Sequence, residues 1–116
     1  MATLTHARTT VDADTWEPFR PAPDVTIGEV HWLTVNERAN GTLAAGLWRI
    51  GPEEGAEIPY AVAGSETFHV LEGEAELETT DGTRIALTPG TVVSFPDGFT
   101  ATWRTRSAFK KFFVVA

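Results

Sequence analysis

The chain has 116 residues, 42% apolar and 22% charged, with a net charge of −7 and no cysteine. That length suits one domain with its own core, and the negative charge argues against nucleic acid and anionic membrane surfaces, which both need a cationic footprint. The absence of cysteine removes disulfides, thiolate metal sites and cysteine nucleophiles. No apolar run approaches the ~20 residues that span a bilayer. The opening "MATLTHARTT" has no apolar stretch after its charges and does not read as a secretory leader, so a cytoplasmic location is expected.

Residues 1–26 carry three prolines within "DADTWEPFRPAPD" and no sustained period. They read as an arm that docks on a core through Trp16 and Phe19. From residue 27 to 116 the chain reads as a single domain of short apolar or alternating runs broken by glycine and proline, the pattern of an all-β sandwich or barrel. Strands are predicted at 27–35, 42–50, 66–72, 74–79, 83–87, 91–95, 100–105 and 109–115.

The ribbon "EGEAELETTDGTRIAL" admits two registers. A two-residue Asp81-Gly82 turn would set Glu76 opposite Leu87 and Glu78 opposite Ile85, mixing charge with apolar side chains on one face. A three-residue loop, Thr80-Asp81-Gly82, pairs Leu77 with Ile85, Ala75 with Leu87 and Glu78 with Arg84. Side-chain alternation selects the second, with Gly82 at positive φ.

Parity makes a further demand. Glu66, Phe68, Val70, Glu72, Glu74, Glu76 and Glu78 would share one face of an unbroken strand. Phe68 and Val70 belong inside and the later glutamates in water, so the parity must reset, and Gly73 is the residue able to host a bulge. Glu66 then stays with the inward set. An inward carboxylate needs a partner, which marks a candidate functional site. The basic residues Arg104, Arg106, Lys110 and Lys111 read as a solvated strand-and-turn face.

"GTVVSFPDG", residues 90 to 98, has the spacing G-x5-P-x-G, and Glu66 is followed by six residues and Gly73. These pieces resemble the two cupin motifs. Trp103, the terminal Lys111-Phe112 strand and "GLW" at residues 46 to 48 make residues 40 to 115 similar to small single-domain cupins of the EutQ-like, ethanolamine-utilisation type. The resemblance implies a double-stranded β-helix, or jelly-roll barrel, with a ligand site in one mouth.

In metal-binding cupins three histidines and a glutamate converge on one ion. Here the first two histidine positions fall on Tyr60 and Val62 (or Pro59 and Ala61), the third on Ala101 and the closing asparagine on Thr105. Only Glu66 survives. One carboxylate and a phenol make a poor shell for a transition metal. The chain's own histidines do not compensate: His6 lies in the arm, His31 in an early strand, and His69 on the opposite face from Glu66. No metal and no cofactor are expected.

The mapped mouth holds Glu66 and Tyr60 as catalytic candidates and Trp48, Phe68, Ala101 and Trp103 as ligand-binding candidates. Aromatic walls around one charge suit a small molecule with an apolar body and a polar end. Desolvation by those walls would push the Glu66 carboxyl towards a general base, with Tyr60 as proton donor. That pair fits a metal-independent site, either a binder or an isomerase or lyase. A metal-dependent enzyme acting on a small amino or ureido compound and a structural or regulatory dimer without a site are the alternatives. Small cupins commonly dimerise, so a homodimer is expected.

Overall fold

The computed structural model describes residues 6–116; residues 1–5, which open the segment read above as lacking a leader, lie outside it. Ten strands form: β1 (Glu17–Pro18), β2 (Glu29–Arg38), β3 (Gly41–Ile50), β4 (Ile58–Ala61), β5 (Glu66–Glu72), β6 (Ala75–Glu78), β7 (Arg84–Leu87), β8 (Val92–Phe95), β9 (Thr100–Thr105) and β10 (Phe109–Val115). They build two antiparallel sheets, one of six strands in the order β1-β2-β3-β10-β5-β8 and one of four in the order β4-β9-β6-β7. This is the all-β jelly roll that the motif spacing implies. No helix is long and apolar enough to cross a membrane.

The core lies between the sheets because alternate residues of each strand point there. Phe68 and Val70 of β5, Leu77 of β6, Leu87 of β7, Trp103 of β9 and Phe109 of β10 are all at most 2% exposed. Large aromatic rings dominate this interior. Trp103 packs edge-on against Trp48 and Phe109, with ring centroids 5.5 and 5.1 Å away.

The β6–β7 hairpin takes the register that alternation selects: Ala75 opposite Leu87, Leu77 opposite Ile85 and Glu78 opposite Arg84. Thr79 and Thr83 close the three-residue loop, and Gly82 sits at φ +87°. The parity reset is also present, but its mechanism differs from the expectation. The ladder irregularity lies opposite the Lys110–Lys111 step, where Leu71 is skipped between Val70 and Glu72. Gly73 instead is the corner at which the chain leaves the six-stranded sheet for the four-stranded one. It has φ +82°, and a Cβ there would collide with the Ala108 carbonyl, so only glycine fits without strain.

Two strands, β1 and β4, escape the sequence pattern. β4 is short, contains Pro59 and pairs only with β9, so it is an edge strand where a missing N–H costs no ladder bond. β1 belongs to the N-terminal segment, which wraps the outside of the large sheet. Thr9 and Thr15 hydrogen-bond the His31 ring, and the Arg49 guanidinium lies 4.0 Å from the centre of the Trp16 ring. Lys110 Nζ donates to the Val11 carbonyl at 3.0 Å. These contacts lie on the outward face of the sheet, where Leu47 is only 1% exposed.

Candidate functional site

β10 supplies the unexpected member of the site. Its sequence "FKKFFVV" places Phe109, Lys111 and Phe113 on the inner face and Lys110 and Phe112 on the outer. β10 is a central strand, flanked by β3 and β5, so Lys111 enters the barrel interior and is 6% exposed. The solvated basic face expected at residues 104–111 is therefore wrong for this residue. The cluster divides: Arg104 pairs with Glu78 and Glu57, Arg106 with Glu76, and Lys110 with Glu72, while Lys111 goes inside.

Lys111 is the partner that the buried carboxylate requires. Its Nζ donates to Glu66 Oε2 at 2.7 Å, and Tyr60 Oη donates to Glu66 Oε1 at 2.7 Å. The two charged residues are not cross-strand neighbours. Lys111 faces Val70 across the β10–β5 ladder, and Glu66 faces Val115. Four residues of strand, ~13 Å, separate the two rungs, so the side chains run along the sheet to meet. On the way the ammonium passes 4.2 Å from the centre of the Phe68 ring and 5.1 Å from those of Trp48 and Trp103. Those π faces attract a desolvated cation and complete its surroundings where water is excluded.

The electrostatics follow from this enclosure. Burial holds the Lys111 ammonium below the usual lysine range, opposed in part by the Glu66 charge and hydrogen bond. Burial also drives the Tyr60 phenol far above its ordinary value, and the adjacent carboxylate adds to the effect. Tyr60 is thus a neutral hydrogen-bond donor, never a phenolate, in the folded protein. The expectation of a carboxylate desolvated by aromatic walls and paired with Tyr60 omitted the opposite charge at 2.7 Å.

A cavity of about 480 Å³ opens onto this triad. Trp48, Tyr60, Glu66, Trp103 and Lys111 line its inner end. Its outer end is formed by residues the motif mapping did not reach, notably Phe19 and Val25 of the N-terminal segment and Trp32 of β2. Two ligand-binding candidates lie elsewhere. Phe68 is 1% exposed beneath the Lys111 ammonium, packed on Phe95 and Trp103, and Ala101 sits across the ladder from Tyr60; neither borders the cavity. The indole N–H groups of Trp48 and Trp103 are spent on the Ile27 carbonyl and the Thr105 hydroxyl, so both rings face the cavity as apolar walls. Glu66, Lys111 and Tyr60 are then the polar handles at its inner end.

The positions that hold a metal in other cupins do not fit one here. Both oxygens of Glu66 are engaged, and Tyr60 gives its proton to that carboxylate rather than offering a lone pair with an imidazole beside it. No group of three histidine or carboxylate side chains converges among the described residues. His69 is exposed on the outer face of β5, and His31 is tied to the N-terminal segment.

Residues 37–113 match the model of the EutQ-like cupin domain. No curated protein matches the chain. Among solved structures, the chain is similar to an ethanolamine utilization protein Q from Salmonella typhimurium LT2, at 22% identity and a TM-score of 0.67 over 86% of this chain and 76% of that one. It is similar to the EutQ protein of Clostridium difficile at 15% identity and a TM-score of 0.62, over 80% of this chain and 69% of that one. The Cnp3 cupin domain of Schizosaccharomyces pombe superposes with a TM-score of 0.68 at 17% identity, over 92% of this chain and 71% of the other. At these identities the solved structures speak for the fold alone, whereas the domain match spans most of the barrel: the chain belongs to the EutQ-like cupin family.

Proposed function

We propose that this cupin binds a small organic molecule in the barrel mouth without a metal ion, and that Glu66, Tyr60 and Lys111 engage its polar end. One observation carries the reading. An ion pair and a neutral phenol, joined by 2.7 Å hydrogen bonds, sit at the inner end of an open cavity of about 480 Å³ instead of being sealed in the core. Cavities of this size hold small ligands, and buried ionisable groups gathered in one are the mark of a site.

The chemistry available is acid–base. Glu66 is the base, Tyr60 a neutral donor able to hold an oxyanion, and Lys111 a cation that steadies developing negative charge. That set fits a binder or an isomerase- or lyase-type enzyme acting on an apolar molecule with one carbonyl, amide or similar polar end. An open mouth supports this reading over a purely structural dimer, for which a filled mouth is expected.

Trp48 and Trp103 line the cavity, so their fluorescence reports occupancy. Titration with a panel of small apolar carbonyls, amides, carboxylates and amines is expected to give saturable quenching. The quenching should be lost in Glu66→Gln, titrated at a temperature where near-ultraviolet dichroism shows that the variant, which leaves Lys111 without its partner, is still folded. No saturable response across all four classes would contradict the proposal.

A further inference from the structure

We infer that Lys111 is a nucleophilic lysine that captures a small uncharged aldehyde or ketone as a protonated Schiff base; this rests on the ligand site proposed above and names its substrate class. Three observations converge on it. First, Lys111 borders the cavity although its side chain is only 7% exposed, and its nitrogen is bonded to Glu66, which lines the same cavity. Second, its one hydrogen-bond partner, Glu66, is a base placed to take the proton that an ammonium must lose before it can attack. Third, Glu66 and Lys111 are the only charged residues lining the cavity among the described residues, and their charges cancel. A phosphorylated or polycarboxylate ligand would find no cation left to pair with, whereas an apolar carbonyl compound matches the aromatic walls. Burial favours the neutral amine that the attack requires.

The step balances without a further reactant. Lys111 gives a proton to Glu66, and the freed amine bonds to the carbonyl carbon while the C=O π pair moves onto oxygen. A proton passes from nitrogen to that oxygen, giving a neutral carbinolamine, with the Tyr60 hydroxyl holding the oxygen. Glu66 then returns its proton to the carbinolamine hydroxyl, water leaves, and the nitrogen lone pair closes the C=N bond. Ammonium and carbonyl have become iminium and water, and Glu66 is a carboxylate again.

The chain makes the test clean, because Lys110 and Lys111 are its only lysines. The full protein is incubated with propanal or cyclohexanone and sodium cyanoborohydride, which traps an iminium as a stable secondary amine. Fragment-ion sequencing then separates the two adjacent lysines. The expected result is an adduct formed predominantly at Lys111, which borders the cavity that gathers the probe, rather than at Lys110, which does not. The preference should vanish in urea, and Lys111→Arg should give no adduct at that position. Equal labelling, labelling of Lys110 alone, or no labelling of either overturns the inference. Saturable fluorescence quenching with these probes and no Lys111 adduct would leave the ligand site standing and remove only the covalent step. Failure of both probes to quench or label, together with a silent panel, would remove both.

Discussion

The Lys111–Glu66 pair and the Arg104–Glu78 pair have nearly the same length, 2.7 and 2.6 Å, and opposite settings. The first lies inside the barrel among aromatic rings, with side chains 7% and 13% exposed. The second bridges β9 and β6 on the outer face of the small sheet, with Glu57 and Arg84 close by to share its charges. A surface pair gains little because water and salt already solvate its members. A buried pair also gains little as a pair, since desolvating both charges offsets their attraction, yet removing one member strands the other without water. Distance alone therefore does not rank these interactions. The surroundings do, and they mark the inner pair as one whose retention asks for a reason other than stability.

The sharpest way to separate the two regions is to remove the cation from each. Lys111→Met should lower the unfolding free energy by about 3–5 kcal/mol in chemical denaturation, because Glu66 is left buried and unpaired. Tyr60→Phe comes next. It deletes one hydrogen bond to the same carboxylate and should cost about 1.5–3 kcal/mol by the same assay.

Alkaline titration gives a smaller and signed effect. Tyr60 is the only tyrosine, so ultraviolet difference absorbance follows it alone. Its folded pKa is raised, so the folded state keeps a proton that the unfolded chain loses near ~10, and this contribution to stability falls as pH rises past that value. No phenolate should form until the protein unfolds; a reversible ionisation near ~10 with near-ultraviolet dichroism intact would contradict the enclosed phenol. Lys111 acts in the opposite sense. Its folded pKa is lowered, so the unfolded chain binds more protons below the usual lysine value, and stability should rise with pH towards ~10.4. The smallest change is expected from Arg104→Gln, a slight fall in melting temperature that high salt abolishes.

Much of the fold was legible because alternation is a local signal. The β6–β7 register, the left-handed Gly82 and the inward Glu66 all follow from period two and from glycine placement. β4 was not legible, since Pro59 hides a strand that only its edge position permits. The site was half legible. Glu66, Tyr60, Trp48 and Trp103 line the cavity, but the lysine that answers the carboxylate was read as one more solvated charge. Its parity with Phe109 and Phe113 was the available signal. Adjacency to Lys110 obscured it, and so did the offset of four residues between its rung and that of Glu66, which no nearest-neighbour pairing rule connects. Phe19 and Val25 were missed as cavity walls because nothing local tells a segment without a period which surface it will cover.

The most direct measurement is the unfolding free energy of the double variant Lys111→Met/Glu66→Gln against wild type, by chemical denaturation at neutral pH. If the buried charges are kept for a ligand, removing both together should recover most or all of the loss caused by Lys111→Met and leave the protein as stable as wild type or more so. A double variant no more stable than Lys111→Met alone would make the pair part of the scaffold and contradict the account.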